Sequence, residues 1–260
     1  MLVFGDVVGA AAVEHLCARL PRWREELRID AVIVNAENAV VSRPEDVTRG
    51  FGTSHAVVDA FFAAGVDVLT GGNHSWDAPD AAGVLARPNV LRPHNIGGGL
   101  PGTGVTRVRI GDRGLVVVNL ITALAAQPHE IARPPLVAFD ALSLSPDDCV
   151  VVDLHAERQI EKRTLGHALD GRVAAVIGTH THEPTLACDV LPHGTLFCAD
   201  AGMNGPSGGV LGMDPEAWLV KLRTGVMPPF RLAAGPIQIG AVLLDIGGLV
   251  PSIERFAPAV

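Results

Sequence analysis

Blocks of apolar residues alternate with polar ones along this chain, and their periods predict strands and helices in turn. Leu2 to Gly5 reads as a short buried strand that ends at Asp6, and Gly9 opens the helix behind it. In that helix Ala11, Val13, Leu16 and Leu20 recur at helical spacing, and the pattern continues past Pro21 to Leu27. Asp30 to Ala36 is a second strand, ending at Glu37-Asn38. The polar, irregular run from Val40 to Gly52 predicts a mobile loop beside those strand ends. Ser54 to Ala64 is an amphipathic helix with Val57, Val58, Phe61 and Phe62 inward. Val66 to Gly72 is then a strand that delivers Asn73-His74, and Asp77 caps a helix from Ala78 to Leu85.

Further on, Val90-Leu91 leads to the Pro-bounded turn Arg92-Pro93-His94-Asn95, which either touches a substrate phosphate or is a plain polar turn. Val105–Ile110 and Leu115–Ile121, joined by Gly111-Asp112-Arg113-Gly114, predict a β-hairpin. Residues 125–147 carry four prolines and predict little regular structure, with His129 on the surface. Val150 to Leu154 ends at His155, and a helical run follows to Leu169. Val173–Ile177 ends at Gly178-Thr179-His180-Thr181-His182. Thr195–Ala199 is a strand before a Gly-rich loop over Gly202–Gly209, which lacks the Lys-Ser/Thr of a P-loop. Asp214 caps a helix through Leu222, and Phe230–Ala233 with Ile237–Asp245 predicts a closing hairpin. Repeats and low-complexity linkers are absent, so residues 1–260 are expected to form one α/β domain.

Polar side chains just past the carboxyl ends of strands face the ligand crevice of an α/β fold. Here those positions hold Asp6, Glu37, Asn38, Asn73, His74, His155, His180 and His182. Taken singly, each has a plainer reading: Asp6 as a helix cap, His74 as part of a strand-to-helix turn. The sharpest local signal is His180-Thr181-His182, because in extended backbone positions i and i+2 share a face and both imidazoles approach one metal cluster. Carboxylates, amides and imidazoles together suit iron, manganese, zinc or magnesium better than a thiolate site would. The set is too large for one ion and about right for two. Paired ions ~3.5–4 Å apart share a carboxylate and a bridging hydroxide and clamp an in-line displacement at phosphorus. A histidine outside the ligand set then protonates the leaving alkoxide.

Composition narrows the partners. Hydrophobic residues make up 48% of 260, with mean hydropathy +0.32, ample for a large core and compatible with a homo-oligomer. A net charge of −8 and a pI near 5.6 oppose stable nucleic-acid binding, but not a small phosphodiester or cyclic nucleotide held by metal ions. Cys17, Cys149, Cys188 and Cys198 have no CxxC spacing and read as reduced, mostly buried thiols. The amino terminus shows no basic n-region, and no uncharged apolar run reaches the ~20 residues of a membrane span. A soluble, cytoplasmic protein is expected.

In order, the segments GDVVG, NAEN, GGNHSWD, DLHAE and GTHTH resemble the calcineurin-like metallophosphoesterase superfamily. They are most similar to its small bacterial branch, the YmdB-like cyclic-nucleotide phosphodiesterases. RPHN, LDGR at Leu169–Arg172, DAGMNGP at Asp200–Pro206 and GVLGMD at Gly209–Asp214 extend the likeness over nearly the whole chain. The resemblance implies a sandwich of two mixed β-sheets flanked by helices, with the site at the strand carboxyl ends. It also implies two divalent or mixed-valence ions, iron or manganese before magnesium or zinc. Asp6, Glu37, Asn38 and His182 would surround one ion, and Asn73, His155 and His180 the other, with Glu37 bridging. His74 would be the general acid in hydrolysis of 2′,3′-cyclic nucleotides or related phosphodiesters. Two departures from the wider superfamily match this branch: Val8 stands where its first motif has histidine, and Glu37-Asn38 where its second supplies aspartate. A phosphomonoesterase or nucleotidase on the same site is the nearest alternative. A regulatory nucleotide- or RNA-binding protein with vestigial hydrolysis is a further one.

Overall fold

The computed structural model describes residues 1–40, 51–97, 99–229, 231–248 and 250–258. The loop expected over Val40–Gly52 lies largely outside them. The strands are β1 (Leu2–Val8), β2 (Val32–Asn38), β3 (Val68–Thr70), β4 (Val105–Ile110), β5 (Arg113–Ile121), β6 (Cys149–His155) and β7 (Ala175–Thr179). They continue with β8 (Cys188–Val190), β9 (Leu196–Cys198), β10 (Met203–Pro206), β11 (Ile237–Gln238), β12 (Ala241–Asp245) and β13 (Ser252–Arg255). The helices are α1 (Ala10–Glu26), α2 (His55–Ala63), α3 (Ala81–Leu85), α4 (Pro135–Asp140), α5 (Gln159–Ala168) and α6 (Pro215–Thr224).

Two mixed sheets stack face to face. In the first, β1 pairs in parallel with β2, and β2 with β3. The other edge of β1 is shared: β12 runs antiparallel along Leu2–Phe4, and β10 runs parallel along Asp6–Val7. In the second, parallel β5, β6, β7 and β9 are closed by antiparallel β4 and β8 at the edges. The two-residue side-chain period explains the layers. Leu2, Phe4, Val32 and Val34 meet Leu16, Leu20 and Phe61 of α1 and α2 on the outside. Val3 and Ile33 instead face Leu115, Val117, Val151 and Ile177 across the sheets. Val116, Val118 and Val152 cover α5 and α4 through Leu165 and Phe139. Burying one such side chain contributes about 1.5–3 kcal/mol, so the alternation sets the register of every strand.

Several sequence-based expectations change. The first strand continues through Asp6 to Val8, with register shifts on both sides of Asp6. Residues 125–147 are not wholly irregular, since Pro135 starts α4 at a position where its missing N–H costs nothing. The Gly-rich segment begins as β10, where small residues are needed: a Cβ at Gly205 would press on Val8. The closing hairpin does not form as expected; β11 pairs with β10, and β12 with β1 and β13, because the apolar run of β12 completes the inter-sheet core. Arg92 donates to the carbonyls of Pro93 and Ile96, which makes 92–95 a structural turn. Only Cys198 of the cysteines is fully buried. Among the described residues no helix is long and apolar enough to cross a membrane.

Candidate functional site

The carboxyl ends of β1, β2, β6 and β7, with the turn after β3, converge on one centre. Asp6 comes from the irregular part of β1, and bulges of this kind re-aim a side chain beside an active site. Glu37 and Asn38 end β2, His155 ends β6, and Asn73-His74 follow β3 through Gly71-Gly72. A side chain at Gly72 would intrude on the centre: a Cβ there would overlap Glu37 Oε2 and the His155 ring unless both moved. His180 and His182 do not use the strand period. Both have positive φ, 93° and 61°, so a left-handed turn after β7, not extended backbone, brings them in.

Two clusters result, and Glu37 belongs to both. Glu37, His155 and His180 can offer ligand atoms within 4.8 Å of one another, and so can Asp6, Glu37 and His182. Asn73 joins the first, its Oδ1 2.9 Å from His155 Nε2. Asn38 joins the second, its amide 3.3 Å from His182 Nε2. His74 stands outside both; its backbone N–H donates to Glu37 Oε2 at 3.3 Å. All eight sequence-predicted residues therefore meet.

The histidine tautomers are set from outside the clusters. Thr179 Oγ1 donates to Asp153 Oδ1 at 2.7 Å, so the His155 Nδ1–H must donate to that hydroxyl, 3.0 Å away. Glu157 accepts from His180 Nε2 at 2.9 Å, and the Leu211 carbonyl accepts from His182 Nδ1 at 3.2 Å. Each ring keeps its other nitrogen as the lone-pair atom. For His155 that atom, Nε2, faces the acceptor oxygens of Asn73 and Glu37, the latter at 3.2 Å. A cation, whether a proton or a metal ion, satisfies that arrangement. Asp6 Oδ1 is fully buried and has no hydrogen-bond partner, a costly state without a cation. The donor set thus fits a pair of hard or borderline ions.

A scan for known families matches the YmdB-like proteins over residues 2–256. The chain belongs to the YmdB-like family. A Bacillus subtilis (strain 168) protein, a 2′,3′-cyclic-nucleotide 2′-phosphodiesterase, is 33% identical over 249 residues, covering 95% of this chain and 90% of that one. The crystal structure of a hypothetical protein from Thermus thermophilus superposes with TM-score 0.88 at 36% identity, over 98% and 97% of the chains. That of a phosphatase from Mycoplasma pneumoniae gives TM-score 0.86 at 29% identity, over 97% and 90%. The architecture is of the metallophosphoesterase type.

In this YmdB-like site the charges are mutually dependent. Burial pushes the Asp6 carboxyl up to about 6, against the pull of His182 and His155. Burial also opposes ionisation of Glu37, yet His155 beside it holds its carboxyl well below the usual range. Burial disfavours a charged His155, but Glu37 and Asp6 raise it to about 9. His180 is pushed down to about 3 by burial and by His155, so it is neutral. His74 Nδ1 contacts Asp77 Oδ2 at 2.7 Å, and Phe51 packs on its ring at 4.3 Å. Asp77 is therefore the partner of His74, not the cap of a helix, since α3 begins only at Ala81.

The sequence does not single out the supporting residues of the YmdB-like site. Asp153 accepts from Thr179, Thr70 and Asn35 inside β6. A carboxylate within the apolar run Val150–Leu154 is a visible signal of a buried polar role. Thr179 and Glu157 give no such sign, because an exposed reading suits both residue types.

Proposed function

We propose that this protein is a dimetal phosphodiesterase that hydrolyses 2′,3′-cyclic nucleotides and related phosphodiesters to monoesters. The observation that carries the reading is the place of Glu37 in both ligand clusters, which is what a carboxylate shared by two ions requires. Asp6, Glu37, Asn38 and His182 would hold one ion; Glu37, Asn73, His155 and His180 would hold the other. Iron or manganese suits this oxygen and imidazole set, and magnesium or zinc is the alternative. When bound, such ions supply charge neutralisation at phosphorus and a water acidic enough to attack at neutral pH.

His74 is the general acid. Asp77 accepts a hydrogen bond from its Nδ1–H and fixes the ring's orientation, so Nε2 is the nitrogen that gives a proton to the departing oxygen. A cavity of about 520 Å³ is lined by Trp76, two residues after His74 in the chain, together with Ile96, Leu100, His129, Glu130 and Arg133. It has room for the organic part of a nucleotide. The Bacillus relative at 33% identity supports the cyclic-nucleotide substrate, and the Mycoplasma structure keeps phosphomonoesters as the second class.

The test is hydrolysis of 2′,3′-cyclic AMP by metal-loaded protein, alongside bis-p-nitrophenyl and p-nitrophenyl phosphate. Turnover of the cyclic nucleotide and the diester above the monoester is expected. Preference for the monoester would make the protein a phosphatase, and a nucleotide that stays intact on fully metallated protein would make it a binding protein.

A further inference from the structure

Lys162 is fully buried on the inward face of α5, three residues before Leu165. Its chain passes beneath Gly178 of β7, where an added Cβ would collide with the Ala199 carbonyl and crowd Lys162 Cδ. Its ammonium reaches the equally buried Asp200, with Nζ 2.5 Å from Oδ2. Asp200 in turn accepts from Thr181 Oγ1 at 2.6 Å, from the Thr181 N–H at 3.3 Å and from the Gly202 N–H at 2.7 Å. Thr181 is the middle residue of the turn that carries His180 and His182.

Stability alone does not account for this pair. A buried ion pair is often no better than an apolar pair of the same volume, and an inward helical position would ordinarily hold leucine. On its first side the turn is anchored by the His180 N–H, which donates to Asp6 Oδ2 at 3.0 Å, and what holds its middle is Asp200. Two non-glycine left-handed residues, one on each side of Thr181, persist only where the surroundings over-determine them. The peripheral hydrogen bonds of His180 and His182 go to Glu157 and Leu211, on the outside of each ring. The Lys162–Asp200 pair holds the backbone between them.

We propose that Lys162 and Asp200 act through Thr181 as a positioning clamp, presetting the left-handed turn so that His180 and His182 each reach a different metal cluster. The inference rests on the dimetal reading and adds residues that touch neither ion nor substrate. Loosening Thr181 then weakens binding of both ions at once, since one histidine serves each.

Thr181→Val is the sharp probe, because it removes the hydroxyl and leaves the ion pair intact. Lys162→Met would strand a buried carboxylate and test folding instead. Metal-free wild type, Thr181→Val and Thr181→Ser are titrated with Mn²⁺ by calorimetry, with thermal midpoints of the metal-free proteins measured in parallel. The expected result is a roughly 10–100-fold loss of affinity for both ions in Thr181→Val, the range for an outer-shell partner. Thr181→Ser regains most of that affinity, and the metal-free midpoints stay within a few degrees. Two Mn²⁺ bound to Thr181→Val with wild-type affinity would overturn the clamp alone, as would failure of the serine variant to recover. A midpoint loss matching the affinity loss would reduce the pair to a structural role. Wild type that takes up no Mn²⁺ would overturn the dimetal reading and the clamp with it.

Discussion

Glu37 and His155 face one another across the site, Oε1 to Nε2 at 3.2 Å, with both side chains buried. The contact joins the end of β2 to the end of β6, strands from different sheets. It therefore exists only if the sandwich closes in register, and it lies where the two ligand clusters overlap.

Glu37→Gln should empty both metal positions, since one carboxylate serves each. The expected metal content by elemental analysis falls from about two ions per chain to below one. Activity should fall by more than the roughly 10–100-fold associated with losing an outer-shell partner. Chelation of wild-type protein should lower its thermal midpoint and leave that of the variant nearly unchanged.

His74→Ala should separate chemistry from metal binding. Metal content stays at the wild-type level, while kcat for 2′,3′-cyclic AMP drops by about 10²–10⁴-fold. With a p-nitrophenyl leaving group, which needs no protonation, the loss should be much smaller. Asp77→Asn should give an intermediate loss through the His74 Nδ1 contact.

Metal-free protein should become less stable as pH rises from about 6.5 to 9; below that range His180, held down at about 3, offsets what Asp6 loses. Asp6 has its folded pKa raised to about 6 and His155 has its own raised to about 9. Both groups bind protons more tightly folded than unfolded, so their contribution is full at low pH and is lost as pH climbs through those values. Glu37, held low, contributes above the ordinary carboxylate range and is flat across this window. Melts of chelator-treated protein at about pH 6.5 and pH 9 check the sign, and His155→Asn should flatten the upper part of the slope. Added metal should reverse the trend, because its binding displaces those protons.

Gly72→Ala is expected to act as a site mutation and not as a fold mutation. The new methyl group would occupy the space of Glu37 Oε2 and the His155 ring, so metal affinity and turnover fall together. Far-UV circular dichroism should match wild type. Wild-type metal affinity in this variant would show that the two side chains can retreat and that the close approach has no role.

Most of the central strands, such as β1, β2, β5, β6 and β7, and the polar residues at their ends are legible in the chain before it folds, while the short β8, β10 and β13 are not. Apolar runs such as Val32–Val34 and Val150–Val152 are local signals, because burying them on both faces leaves a strand few other solutions. The family is legible too, since the segments around Asp6, Glu37, Asn73, His155 and His180 follow one another in the family's order. How His180 and His182 reach the centre is settled by folding, because their left-handed backbone has no local propensity behind it and is imposed by contacts from Asp200 and Asp6. The pairing of β10 and β12 along one edge of β1 is equally out of reach of local signals, since strand partners are chosen by the core they complete. Lys162 belongs with these. Only the folded chain brings a buried ammonium within reach of Asp200, thirty-eight residues further on, and shows what that contact holds.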